Sequence, residues 1–158
     1  MSAFTFAKMD SATLPGAEAL FREFLTADQH YLEAAAAYGD AGPGALHRAL
    51  ELFLARPELG FVWIAKRGGE VLGCCVVCYA ISTSRGTLVA KLDDVNVRPG
   101  REGEGIGTAM LEALKEQLRG EGVTRIDTAS HVDNPGAMRF YVRQGFVTLR
   151  EERISCLL

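Results

Sequence analysis

The sequence predicts an α/β fold in which one mixed sheet is covered by helices. Three observations carry that reading. Apolar residues recur at helical spacing in separate segments, and short apolar runs bounded by turn residues lie between those segments. A chain of 158 residues, 48% hydrophobic and 23% charged, also has the size and composition of one globular domain, assigned here to 1–158. The elements run β-α-α-β-β-β-α-β-α-β.

Phe4 to Lys8 is the first strand. Leu20, Phe21, Phe24 and Leu25 define an amphipathic helix starting near Pro15, and Leu46, Leu50, Phe53 and Leu54 a second one after Gly44 that Pro57 stops. Asp28 to Pro43 between them is weakly patterned and reads as a flexible connection. Phe61 to Ala65 is a short strand, Gly68-Gly69 a hairpin turn, and Val71 to Ile81 a long strand buried on both faces. Ser84-Arg85-Gly86 turns into a strand over Thr87 to Val97. Ile106, Met110, Leu114 and Leu118 then form an i, i+4 stripe on a third helix. Gly122 leads into a strand over Val123 to Val132. Asn134-Pro135 reads as an N-cap followed by Pro at the first helical position, Gly145 closes that helix, and Phe146 to Leu157 is again strand-like.

Seventeen basic against 20 acidic residues give a net charge of −3, which argues against a nucleic-acid binder that tracks phosphates with a basic face. The first twenty residues carry Lys8, two acidic residues and no sustained apolar run, so no targeting peptide is indicated. The longest apolar stretch, Val71 to Ile81, falls short of the ~18 residues that span a bilayer. Cys74, Cys75 and Cys78 crowd one strand. Cys75 faces away from the other two, and zinc usually wants two separated ligand pairs. Buried reduced thiols in a cytoplasmic protein without a metal is the resulting expectation.

Two segments carry chemistry. Val95-Asn-Val-Arg-Pro-Gly-Arg-Glu-Gly-Glu-Gly-Ile-Gly-Thr108 runs from a strand end through glycines into a helix start. Glycines permit close backbone approach to a ligand, and a helix N-terminus offers unpaired N–H groups to phosphate. Taken alone, the segment is equally a glycine-rich turn. A nucleoside-triphosphate loop lacks its Lys here, and a dinucleotide fingerprint would need Gly where Thr108 stands. The second segment is Asn134-Pro-Gly-Ala137-Met-Arg-Phe-Tyr141-Val-Arg-Gln-Gly145-Phe146, about thirty residues downstream.

Together the two segments resemble the GNAT superfamily of acyl-CoA N-acyltransferases. Val97, Pro99, Gly103, Gly105 and Gly107 match that family's first motif, and Asn134, Ala137, Tyr141, Gly145 and Phe146 its second. Glu102 and Glu104 depart from the pattern, the first standing where the family usually has Arg or Gln. Arg98 and Arg101 are near enough in sequence to compensate. The resemblance implies a mostly antiparallel mixed sheet with two splayed strands that hold acetyl-CoA as co-substrate, with no metal. Val95, Val97, Arg98, Gly103, Glu104, Gly105, Ile106, Gly107, Thr108, Asn134 and Tyr141 are the implied cofactor-binding residues.

The resemblance further implies that the Val95 amide faces the thioester oxygen and that Tyr141 serves as general acid to the departing thiolate. A lysine-like amine is neutral only about once in 2,500 molecules at pH 7, a handicap of about 4.6 kcal/mol, so something must take its proton. Strand alternation sends Asp93 and Asp94 to opposite faces. Leu92-Asp93-Asp94-Val95 is similar to a segment of small-amine acetyltransferases in the family, which makes Asp93 the expected proton acceptor and Asp94 a structural carboxylate. Asp93, His131 and Tyr31 are the candidate substrate-binding residues. His131 is also a second candidate base, or a group that hydrogen-bonds near the Asn134 turn.

The expected activity is transfer of an acetyl group to the primary amine of a small molecule by direct attack on the thioester. Asp93, Asp94 and Asp133 favour a cationic acceptor. An acetyltransferase for protein N-termini or lysines and a non-catalytic acyl-CoA-binding module remain open alternatives, the latter on account of Glu102. No nucleic acid or membrane partner is expected. Homodimers are common in the resembling family.

Overall fold

The computed structural model describes residues 3–28, 32, 38–39, 41–42 and 44–158. In chain order the described elements are β1 (Thr5–Lys8), α1 (Leu14–Ala27), α2 (Gly44–Ala55), β2 (Gly60–Arg67), β3 (Glu70–Ser82), β4 (Thr87–Val97), α3 (Ile106–Gly120), β5 (Ile126–Thr128) and α4 (Pro135–Arg143). The sheet runs β1-β2-β3-β4-β5, antiparallel up to β4 and parallel between β4 and β5. Most of the expected connection between α1 and α2 lies outside the described residues.

Local chemistry sets most boundaries. Asp10 and Thr13 exchange side-chain-to-backbone hydrogen bonds at 2.9 Å ahead of α1, and Pro15 sits in its first turn. Gly68 and Gly69, at φ 57° and 83°, supply the two left-handed residues of a tight hairpin between β2 and β3. Gly60 opens β2 one residue earlier than expected. A Cβ there would lie 2.1 Å from the Val77 carbonyl oxygen, so only glycine lets the strands approach.

The sheet separates two cores. Ile106, Met110, Leu114 and Leu118 of α3 pack with Trp63, Leu72, Cys75 and Leu92 on one face. Leu20 and Phe21 of α1 and Leu50 of α2 pack with Val62, Ile64 and Cys74 on the other. Adjacent cysteines on β3 thus enter opposite cores, as alternation requires.

Two expected strands change. The strand expected over Val123 to Val132 is confined to Ile126–Thr128. Val123 tucks against α3 in the core instead, and the chain after Thr128 turns toward α4, with the Asn134 N–H donating to the His131 carbonyl at 2.9 Å. The expected last strand, Phe146 to Leu157, is not formed. The three-residue β5 offers little edge to pair with. The Glu151-Glu152-Arg153 charge run also breaks apolar alternation, and Val147 and Ile154 are 80% and 90% exposed.

Candidate active site

β4 and β5 pair only at Ala90 with Ile126, Lys91 with Asp127 and Leu92 with Thr128. Beyond Leu92 the outer edge of β4 faces a segment that has left the sheet, which opens a wedge between them. Ser130 in that segment has a buried hydroxyl without a hydrogen-bond partner. On its other edge β4 remains paired with β3, but the register steps from Asn96 opposite Cys74 to Asp93 opposite Val76. Asp94 and Val95 together therefore oppose Cys75, forming a β-bulge at the mouth of the wedge.

The bulge is built from polar groups. Asp94 has φ 53°, the one left-handed non-glycine residue among those described and a conformation Asp tolerates better than most. Asn96 Nδ2 donates to the Asp94 carbonyl at 2.8 Å and lies 3.3 Å from Cys74 Sγ. Leu92 and Val95, three residues apart, consequently pack into the same core. The break in alternation falls at Asp94–Val95, just after Asp93, which stays in register opposite Val76 on the α1–α2 face.

The two carboxylates differ in surroundings. Asp93 Oδ2 pairs with Lys91 Nζ at 2.9 Å. Burial pushes the Asp94 carboxyl up to about 6, and the Asp93 charge adds to the rise, while Lys91 and Arg153 draw it partly back. Tyr141 on α4 packs edge-on to Phe140 and Phe146, with ring centroids 5.4 and 5.3 Å away. Burial raises its phenol to about 12; the neighbouring Thr128 hydroxyl opposes the rise, and the charges of Asp93 and Asp94 reinforce it. Thr128 itself donates to the Leu92 carbonyl at 2.8 Å, the last rung before the wedge opens. Tyr141, Thr128 and the aspartate pair thus converge on the bulge. Burial lifts the Cys74 thiol to about 12 and that of Cys75 well above the ordinary range, so these neighbours carry no nucleophilic thiolate.

Gly100, Gly103 and Gly105 adopt φ of 84°, 83° and 79°, and a Cβ on any of them would meet nothing. They are required for backbone conformation, not for space. Gly105 is the N-cap of α3 and provides no side-chain cap, which leaves the first-turn N–H groups of Ile106, Gly107 and Thr108 to an external acceptor. At Gly107 a Cβ would make ordinary contact with the Phe140 ring, at 3.4 Å from Cζ. Together with the unpaired β4 edge and the orphaned Ser130 hydroxyl, this cradle fits a ligand that joins a diphosphate to an amide-bearing arm. Acetyl-CoA has that form.

The charged residues of the cradle are internally engaged. Glu102 Oε2 accepts from the Gly100 N–H at 2.8 Å, and Glu104 lies 3.6 Å from Arg67 and 3.5 Å from Arg101. The Arg98 guanidinium turns to the Val71 carbonyl and Glu70, at 3.1 and 3.3 Å, so its side chain braces β3. Thr108 Oγ1 accepts from Gln144 Nε2 at 3.1 Å, tying α3 to the end of α4. A cleft of about 330 Å³ opens between the end of α1 and this stretch of β4, lined among others by Phe24, Asp28, Val95, Val97, Pro99 and Glu102.

Asn134 caps α4, its Oδ1 accepting from the Ala137 N–H at 3.1 Å. His131 Nδ1 accepts from the Asp133 N–H at 3.2 Å, which is the turn role open to it from the sequence. Tyr31 lies outside the described residues. Sequence reasoning missed Asn96 and Thr128, whose contributions are hydrogen bonds to backbone carbonyls that no motif marks. It also missed Arg153, carried by a segment read as a strand.

Comparison with known proteins gives the family of the chain. The Acetyltransferase (GNAT) family model matches residues 20–146, and the chain belongs to that family of acetyltransferases. The IAA acetyltransferase of Azospirillum brasilense is 30% identical over 109 residues, covering 68% of each chain. The aminoalkylphosphonate N-acetyltransferase of Salmonella typhimurium is 25% identical over 83 residues, or 52% of this chain and 54% of that one, so the match spans about half of that relative. The crystal structure of a possible acetyltransferase from Clostridium difficile 630 superposes with a TM-score of 0.82 over 98% of this chain and 97% of that one; at 11% identity this likeness concerns the fold. No helix among the described residues is long and apolar enough to cross a membrane.

Proposed function

We propose that the chain transfers the acetyl group of acetyl-CoA to the amine of a small molecule in the cytoplasm. One observation carries the reading: the Asp94–Val95 bulge stands at the mouth of the β4–β5 wedge with Tyr141 and the aspartate pair around it. Two relatives support the chemistry in their names, one an N-acetyltransferase of aminoalkylphosphonates and the other an acetyltransferase of IAA.

Bound acetyl-CoA supplies an acyl group activated as a thioester. The N–H groups of the glycine loop and the first turn of α3 hold the diphosphate, and the free edge of β4 at Val95 and Val97 pairs with the amide-bearing arm. The Val95 N–H donates to the carbonyl oxygen where negative charge develops. Asp94, in place of the Asp93 expected from the sequence, takes the proton that the acceptor nitrogen must lose. With a carboxyl near 6 it is ionised at neutral pH yet far more basic than an ordinary aspartate. Asp93, held by Lys91, supports that basicity by its charge. Tyr141 stays protonated throughout. Surrendering its proton to a thiolate of pKa near 8.5 would be uphill by about 3.5 units, or about 5 kcal/mol. Tyr141 therefore donates a hydrogen bond to the sulfur instead of the proton expected of it from the sequence, and the proton leaving the amine through Asp94 is the one that neutralises the thiolate. The C–N bond forms as the C–S bond breaks, without an acyl-enzyme.

Calorimetric titration with acetyl-CoA tests the cradle, with free CoA and NAD as controls, and thiol release with a panel of amines and peptides tests the transfer. Saturable binding of acetyl-CoA but not NAD is expected, together with release on small amines. Tyr141→Phe is expected to lower kcat about 100-fold with acetyl-CoA affinity retained. Unchanged turnover in that variant would remove Tyr141 from the mechanism, and absence of acetyl-CoA binding would overturn the whole reading.

A further inference from the structure

The sequence places three carboxylates near the wedge and suggests a cationic acceptor. The folded chain adds cations that this count leaves out. Lys91 Nζ closes on Asp93 at 2.9 Å. The tail beyond α4 returns across the molecule to the end of the α1–α2 connection: the Arg153 guanidinium lies 5.1 Å from the centroid of the Tyr38 ring, and a Cβ on Gly39 would meet Leu157 at 3.5 Å. Arg153 is close enough to Asp94 for its charge to lower that carboxyl. The third carboxylate, Asp133, is 78% exposed in the turn beyond the wedge. Among the charges that act on Asp94 itself, one carboxylate, Asp93, therefore stands against two cations, while Glu23, Asp28 and Glu102 line the adjoining cleft beside Val95.

The cations are not equivalent. Lys91 already has a carboxylate partner. Arg153 is exposed, rests on an aromatic face and makes no close ion pair with any described residue. A guanidinium stacked on a ring keeps its planar fork of N–H donors available, and that fork matches the oxygens of a carboxylate or phosphonate in bidentate fashion. A purely cationic acceptor would meet repulsion from Arg153, whereas an acceptor bearing both charges finds a partner for each.

Resting on the acetyl-transfer reading above, we propose that the acceptor is an amine that also carries an oxyanion, its nitrogen directed to Asp94 and its oxyanion held by Arg153 above Tyr38. Arg153 is then the residue that sets acceptor specificity.

Matched acceptors test this. ω-Amino carboxylates and ω-amino phosphonates of two to six carbons are each compared with the alkylamine lacking the anion, with putrescine as the dicationic control, in wild type and in R153Q and R153K. In wild type at least one anionic member is expected to exceed its matched alkylamine at least 10-fold in kcat/KM. That ratio should fall at least 10-fold in R153Q, through KM, and recover in part in R153K. The carboxylate and phosphonate arms identify which oxyanion is preferred. A wild-type preference for alkylamines or putrescine, or a ratio indifferent to R153Q, would overturn the assignment while leaving acetyl transfer intact. Absence of thiol release with every amine would overturn both.

Discussion

Asp94 concentrates the cost and the use of this site in one side chain. Its left-handed backbone, its burial and the neighbouring Asp93 charge are each unfavourable on their own, and strain of this kind gathers where a site requires it. A carboxyl displaced from 3.8 to about 6 destabilises the folded chain by up to about 3 kcal/mol at neutral pH, at 1.36 kcal/mol per unit. The penalty is absent below about pH 4, where folded and unfolded chains are both protonated, and it grows as pH rises to about 6. Asp94→Asn removes the charge, and Asn also tolerates positive φ. The variant should be about 1–3 kcal/mol more stable than wild type in urea melts at pH 7.5 and equal to it near pH 3.5. It should lose most of its turnover. In wild type kcat/KM should rise through about pH 6 as the carboxyl ionises, a limb that the variant lacks.

Among the elements, those whose residues announce their own geometry were legible in the sequence. Ile106, Met110, Leu114 and Leu118 mark the buried stripe of α3 because one face of a helix repeats every three to four residues. Gly68-Gly69 and the loop glycines mark positive φ because little else adopts it readily. The bulge was not legible. Leu92-Asp-Asp-Val95 has no glycine, and the register step is decided by pairing with β3 and by the Asn96 side chain, both long-range or orientation-dependent. Nor could spacing reveal that Glu102 would fold back on the Gly100 N–H, placing a carboxylate on a loop shaped to receive an anion. Glu102→Gln should strengthen acetyl-CoA binding. Two phosphate charges one Debye length, or about 8 Å, from a carboxylate would be worth about 1 kcal/mol in water-like screening, or about 5-fold in Kd. Calorimetry at 20 and 300 mM salt should show the gain at low salt and its near disappearance at high salt. Weaker binding in the variant would instead mean that the Glu102–Gly100 bond shapes the cradle.

Across the whole molecule, the two cores divide the work. The α3 and α4 face carries the glycine loop and Tyr141, whereas the end of α1 lines the cleft beside Val95 and Asn96, and the returning tail reaches Tyr38. The first half of that arrangement follows from local sequence patterns and was legible. The second depends on where an irregular tail lies, which apolar residues at 146, 147, 149, 154 and 157 misreport as a strand. The tail's position leads to a whole-molecule prediction. Residues 149–158 are all exposed and form no ladder with the sheet, so removing 151–158 should cost less than about 1 kcal/mol, a fall in Tm of about 2–4 °C at most. A true sheet strand of that length, with its buried side chains, would cost several times more. Removal should leave acetyl-CoA affinity unchanged, since the cradle lies on loop 98–108, and should raise KM for the acceptor at least 10-fold, because Arg153 leaves with the tail. Thermal melts, calorimetry and acceptor kinetics on the same shortened chain separate the three effects: a fall in Tm beyond about 8 °C would restore the strand, and an unchanged acceptor KM would detach the tail from the acceptor side.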